Sequence, residues 1–184
     1  KKLELRLDYA SSIPAAIQSD SNRIRQILTK LVNNAIQYTN QGAVTLRVEY
    51  QPKTQWLTIE IKDTGVGMTP EQVCHVFQPF AKSHTDINGK AIHSGLRLAI
   101  AHRLAQVLGG DLTCCSTVNE GTCFTFSLAV GNDASANLIV PASLPDALHT
   151  NTTAVSPISD TAIQSDSFHL RVLVVDDRRD IRFL

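Results

Sequence analysis

Between residue 1 and about residue 131, apolar positions recur with the periods of regular structure, and beyond that stretch they thin out. Leu3, Leu5 and Leu7 alternate with polar residues, the period-two signature of a half-buried strand. Asp20 or Ser21 then offers a side-chain oxygen to the free N–H groups of a helix start. Behind it Ile24, Ile27, Leu28, Leu31, Val32 and Ala35 fall on one stripe, which predicts an amphipathic helix. Ala43–Tyr50 and Trp56–Lys62 read as paired strands joined by a turn that contains a proline. Leu96 to Leu108 reads as a second helix, stopped at Gly109-Gly110, where a left-handed cap is easy. Asp111–Ser116 and Thr122–Val130 complete the pattern as a hairpin. Strands, helices, then strands predict an α+β domain with its helices layered on one face of a sheet.

From Gly131 the chain turns small, polar and proline-containing, so residues 132–168 are expected to be a flexible linker. Leu170-Arg171-Val172-Leu173-Val174-Val175 then begins a second buried-type strand. Three units follow: a domain over 1–131, the linker, and the start of another domain over 169–184. The N-terminus has no long apolar segment of the kind a signal peptide carries and reads as a cut through a longer protein.

Charge and composition narrow the partners. Lys plus Arg (17) equal Asp plus Glu (17), so no net field favours nucleic acid or an anionic membrane surface. No apolar run approaches the roughly 20 residues of a membrane helix, so no membrane contact is expected of this stretch. Cys74, Cys114, Cys115 and Cys123 lack C-x-x-C spacing and read as buried, reduced thiols of a cytosolic domain. No His/Cys cluster has zinc-ligand spacing.

The chemistry starts at Asp63-Thr64-Gly65-Val66-Gly67, directly after a strand. A carboxylate there can accept from an exocyclic amine such as adenine N6, whereas guanine would present a carbonyl and leave it unsatisfied. Gly65 and Gly67 let backbone approach a ligand without a Cβ in the way. By itself the motif is also an ordinary turn. It has company, in order. Upstream lies Gln26-Ile27-Leu28-Thr29-Lys30-Leu31-Val32-Asn33-Asn34-Ala35-Ile36-Gln37-Tyr38-Thr39. Downstream come Val76-Phe77-Gln78-Pro79-Phe80, His93-Ser94-Gly95-Leu96-Arg97, Gly109-Gly110-Asp111-Leu112 and Glu120-Gly121-Thr122-Cys123-Phe124. This succession resembles the N, G1, F and G2 boxes of sensor histidine kinases, within the GHKL ATPase superfamily, over about residues 3 to 130.

The resemblance implies a two-layer α/β sandwich of the Bergerat type that binds ATP with Mg²⁺. It makes Asn34 the amide ligand of Mg²⁺, which suits a hard cation that prefers oxygen. Tyr38 becomes an aromatic beside the nucleotide or a core residue. Asp63 becomes the adenine-reading carboxylate, and Thr122 a support for it and for the purine. Residues from about 78 to 95 match the lid over ATP, with Lys82 near the γ-phosphate or simply solvated. Ser94, Gly95 and Leu96 open a helix whose free N–H groups can hold phosphate. The family's phosphoacceptor histidine sits on a separate dimerisation domain, and none of the six histidines here has its context. At the far end, Val172 to Asp177 resembles the first strand of a response-regulator receiver, followed by the start of its first helix. Asp176 and Asp177 match its acidic Mg²⁺ pair.

Three departures stand out. Lys30 takes the place of the first N-box asparagine; an ammonium cannot ligate Mg²⁺ but can touch phosphate as a point charge. Arg97 replaces a glycine, either clamping phosphate or blocking it. His93 and Ser94 replace a small hinge pair. Two readings therefore stand. The first is a working catalytic domain of a hybrid kinase, cytoplasmic and monomeric by itself. It would serve its own dimerisation and receiver domains and a response regulator or phosphotransfer protein. The second is a degenerate domain acting as a regulatory module with weak or no nucleotide binding. Another GHKL ATPase, such as a topoisomerase or chaperone, fits the receiver-like tail less well.

Overall fold

The computed structural model describes residues 1–79, 96–131, 138–140, 174–175 and 180–182. Its centre is a five-stranded mixed sheet in the order β1 (Lys2–Tyr9), β4 (Gln41–Gln51), β5 (Trp56–Asp63), β7 (Gly121–Ala129), β6 (Asp111–Thr117). β1 runs parallel to β4, and the other neighbours are antiparallel. Alternation decides which residues face the helices. Tyr50, Leu57 and Leu128 form one inward rung; Val48, Ile59 and Phe126 the next; Leu46, Ile61 and Phe124 a third. All nine are buried, and each large side chain so placed contributes ~1.5–3 kcal/mol.

Helix α1 (Ser21–Tyr38) lays Ile24, Ile27, Leu31 and Ala35 on this surface, as its stripe predicts. Asp20 is its cap, accepting from the backbone N–H of Arg23 at 3.1 Å. Helix α3 (Arg97–Val107) packs beside it through Ala101 and Ala105. It stops where Gly109 turns left-handed at φ +72°, and the Gly110 N–H reaches back to the Ala105 carbonyl at 3.0 Å. The α+β sandwich expected from the sequence is therefore the fold. One helix had no periodic signal: α2 (Pro70–His75), only six residues long. Its start is nonetheless written in Thr69-Pro70-Glu71-Gln72, a capping box with proline at the first helical position.

Outside the sheet, β2 (Ile13–Pro14) pairs with β8 (Leu138–Ile139). β8 falls inside the stretch read as linker. Leu138-Ile139-Val140 is an apolar triplet there, and Ile139 packs against the core beside the buried Ile13. β3 (Ala16–Gln18) pairs with β10 (Asp180–Arg182), which pairs with β9 (Val174–Val175). The receiver resemblance implied a helix start near 180. The open edge of β3 instead offers backbone partners to an extended segment.

Candidate functional site

The fourth rung of the sheet breaks the apolar series. Val44 is followed across β5, β7 and β6 by Asp63, Thr122 and Ser116. Asp63 thus occupies a core-facing position at a strand end, 2% exposed. Burying a carboxylate requires compensation, and the backbone supplies it. The N–H groups of Gly65 (2.8 Å) and Thr122 (3.3 Å) both donate to Oδ1. Burial nevertheless dominates and raises the Asp63 carboxyl above its ordinary value, against those two bonds and the nearby Thr39 hydroxyl. Thr39 is fully buried beside this carboxylate, yet among the described residues its hydroxyl closes no hydrogen bond within ordinary distance and angle. A carboxylate with acceptor capacity to spare and an unpartnered buried hydroxyl form a place for a polar ligand edge.

The glycines act differently from expectation. A Cβ on Gly65 would strike the Tyr38 carbonyl and, at 2.9 Å, Asp63 Oδ1. On Gly67, whose φ is +65°, it would run into the Thr117 carbonyl. The missing Cβ atoms thus let the loop pack on the end of α1 and on the β6–β7 turn, rather than clear room for a ligand. Ser116, which no motif singled out, locks that packing. Its Oγ accepts from Met68 N–H (2.8 Å) and donates to the Gly121 carbonyl (2.8 Å). Its other neighbour, the Thr122 hydroxyl at 2.9 Å, must then be the donor, which uses the full capacity of one hydroxyl. Thr122 therefore supports Asp63 through its amide and Ser116 through its side chain.

Along α1, Lys30, Asn34 and Tyr38 stand one turn apart on one half-buried face. Burial raises the Tyr38 phenol, while the Arg97 guanidinium close by acts the other way. Arg97 Nη1 also donates to Gln37 Oε1 at 3.4 Å, so the start of α3 is tied to the end of α1. Leu96 is the cap position of α3 and provides no side-chain bond to its N–H groups. Phe77 lies 4.7 Å from the His102 ring, stacked, and edge-on to Phe124 at 6.3 Å. It anchors the chain just before the lid stretch. Asn34, Tyr38, Asp63, Gly65, Gly67, Leu96 and Thr122 thus fall around the ends of α1, β5 and α3. Lys82, Ser94, Gly95, Asp176 and Asp177 lie outside the described residues, as does His93.

A mixed sheet with two helices on one face, and a buried aspartate followed by a glycine loop at its end, defines a nucleotide-binding sandwich domain. The profile described as histidine kinase-, DNA gyrase B- and HSP90-like ATPase matches residues 19–132, and the chain belongs to that family. Among curated proteins, Sensor protein TorS of Escherichia coli (strain K12) is 38% identical over 128 residues, 70% of this chain and 13% of its own length. Signal transduction histidine-protein kinase BarA of the same organism is 33% identical over 144 residues, 76% of this chain and 15% of its own. Among solved structures, full-length ShkA in complex with AMPPNP superposes with a TM-score of 0.60 at 27% identity, covering 70% of this chain and 26% of that one. The chain thus spans about a seventh of the curated relatives it matches. Its likeness to sensor histidine kinases is to their ATP-binding catalytic domain.

Proposed function

We propose that this chain is the ATP-binding catalytic domain of a hybrid sensor histidine kinase, acting with Mg²⁺-ATP. The observation that carries the reading is Asp63: a buried carboxylate braced by two backbone N–H groups, beside the buried Thr39 hydroxyl, which closes no full hydrogen bond among the described residues. Asp63 accepts from the exocyclic amine of adenine, and its fixed position rejects a carbonyl there. Asn34 provides the amide oxygen for Mg²⁺, and Lys30, one turn away, meets phosphate oxygens as a point charge. Tyr38 borders the nucleotide. Arg97 and Leu96 at the start of α3 would meet the phosphates, and the family pattern assigns Ser94 and Gly95 to the same role. The family pattern assigns Lys82 to the γ-phosphate as well. Bound ATP supplies the γ-phosphoryl group for a histidine on a separate dimerisation domain, and this domain's part is positioning and charge neutralisation.

The wider reading follows the relatives. A receiver beginning near residue 169, with Asp176 and Asp177 as its acidic pair, makes the protein a hybrid kinase. It passes phosphate on to its own receiver and to a response regulator or phosphotransfer protein. Among the described residues no helix is long and apolar enough to cross a membrane. We place the domain on the cytosolic side, where ATP is found. The test is calorimetric titration with a non-hydrolysable ATP analogue, with and without Mg²⁺. Metal-dependent binding by the wild type, abolished in Asp63→Ala, supports the reading. Binding that appears only in Lys30→Asn, or in neither protein, overturns it in favour of a regulatory module.

A further inference from the structure

On the sheet face turned away from the helices, Cys115 and Cys123 stand directly opposite each other across the β6–β7 ladder. Their neighbours Cys114 and Phe124 point the other way and belong to the core layer. Opposed residues of an antiparallel pair have Cα atoms about 4.5–5.5 Å apart, inside the roughly 4.4–6.8 Å a disulfide spans. The pair can close without a change of register. The two thiols are unequal. Cys115 is exposed and Cys123 half-buried, set between Cys115 and Lys62 in its rung. Burial, then the Glu60 carboxylate, pushes the Cys123 thiol up. Cys114 is pushed up to about 12 by burial, which leaves it a poor nucleophile.

We propose that Cys115 and Cys123 form a dithiol site for low-molecular-weight disulfides, closing reversibly to a cross-strand disulfide that weakens nucleotide binding. The Cys115 thiolate attacks one sulfur of R–S–S–R, forming a mixed disulfide and releasing one thiolate. The Cys123 thiolate then attacks the Cys115 sulfur, forming the bridge and releasing the second. The two protons lost by the cysteines go to the two leaving thiolates. The protein pair loses two electrons and the small disulfide gains them. A bridged pair holds its Cβ atoms at about 3.8 Å, closer than the roughly 4.5–5.5 Å of an open pair, so the strands must draw together on this face.

The next rung is Ser116 and Thr122, hydrogen-bonded to each other, with the Thr122 N–H on Asp63. Gly121 has no room for even a Cβ against the Asp63 carbonyl, so a shift of the hairpin is passed on to the carboxylate. The effect on binding rests on Asp63 being the adenine acceptor; the bridge does not. The 184-residue chain is equilibrated with oxidised glutathione, then mapped without reduction after cleavage at Glu120, which separates the two cysteines. We expect linked peptides, two hydrogens lighter, in the wild type and in Cys114→Ser but not in Cys115→Ser. ATP-analogue affinity should fall about tenfold on oxidation, recover with dithiothreitol, and stay constant in Cys115→Ser. A glutathione adduct that stops at Cys115, or a bridge to Cys114, overturns the dithiol site. A bridge with unchanged affinity overturns the coupling. A bridge in a chain that binds no nucleotide in either state supports the site and removes the nucleotide reading instead.

Discussion

The two ends of the candidate site are built in opposite ways. At the base end, Asp63 is held by Gly65 and Thr122, Thr122 by Ser116, and Ser116 by Met68 and Gly121. Every one of these groups is fixed by the sheet or by a glycine turn packed against it. At the proposed phosphate end, Lys30 and Asn34 project from one helix face, and their side chains make no hydrogen bond to a described residue. Among the described residues, Arg97 is tied to the end of α1 by one long bond. On the proposed reading, base recognition is therefore a property of the core, while phosphate recognition rests on side chains that can be exchanged at little cost to folding. On that reading the contrast accounts for the departures from the family pattern at Lys30 and Arg97.

Breaking the base end should have the largest effect. Asp63→Ala should weaken ATP-analogue binding about a hundredfold in calorimetry, since it removes a charged acceptor from a desolvated site. Gly67→Ala should come next, costing about 2–3 kcal/mol of stability in urea unfolding. A Cβ there collides with the Thr117 carbonyl at a left-handed φ. Unchanged stability would remove glycine packing from the account. Ser116→Ala should cost ~1 kcal/mol of stability and a few-fold in nucleotide affinity, because it leaves the Met68 N–H without its partner.

Asp63→Asn separates stability from binding. Burial raises the Asp63 carboxyl above its ordinary 3.8, so the folded domain holds that proton more tightly than the unfolded chain does. The cost of the buried charge is absent below that unfolded value and grows as pH rises through the folded one. Asp63→Asn should therefore melt higher than wild type at neutral pH, with the gap closing on acidification through that window, while binding is lost. A variant that melts lower at neutral pH would show that the carboxylate's bonds outweigh its desolvation. At the phosphate end, Lys30→Asn should leave the melting temperature within about a degree of wild type. It should shift only the Mg²⁺ dependence of binding, and a large loss of stability would end the contrast between the two ends.

Much of this was legible in the chain. The stripe of Ile24, Ile27, Leu31 and Ala35 and the alternation of β4, β5 and β7 carry the sheet-and-helix plan, because periodicity records which face is dry. The box order singled out Asn34, Asp63 and Thr122 as candidates, and the register sets Asp63 and Thr122 side by side. Ser116 and Thr39 were not found, since a lone hydroxyl in a strand or at a helix end has no signature of its own. The capping box Thr69-Pro70-Glu71-Gln72 marks a helix start, but the helix it opens is too short for a periodic signal. β8 shows the limit of composition: a polar stretch hid an apolar triplet whose strand partner, Ile13–Pro14, lies more than a hundred residues upstream.

The sequence by itself determined the elements, the layer they form and the family of the site, because local period and motif spacing are properties of neighbouring residues. Only the tertiary structure decided that Asp63, Thr122 and Ser116 share a rung. It also decided that the glycines make room for backbone rather than ligand, and that Cys115 faces Cys123. Those facts depend on strand register, and register is set by how whole strands bury their faces against one another, not by any residue alone.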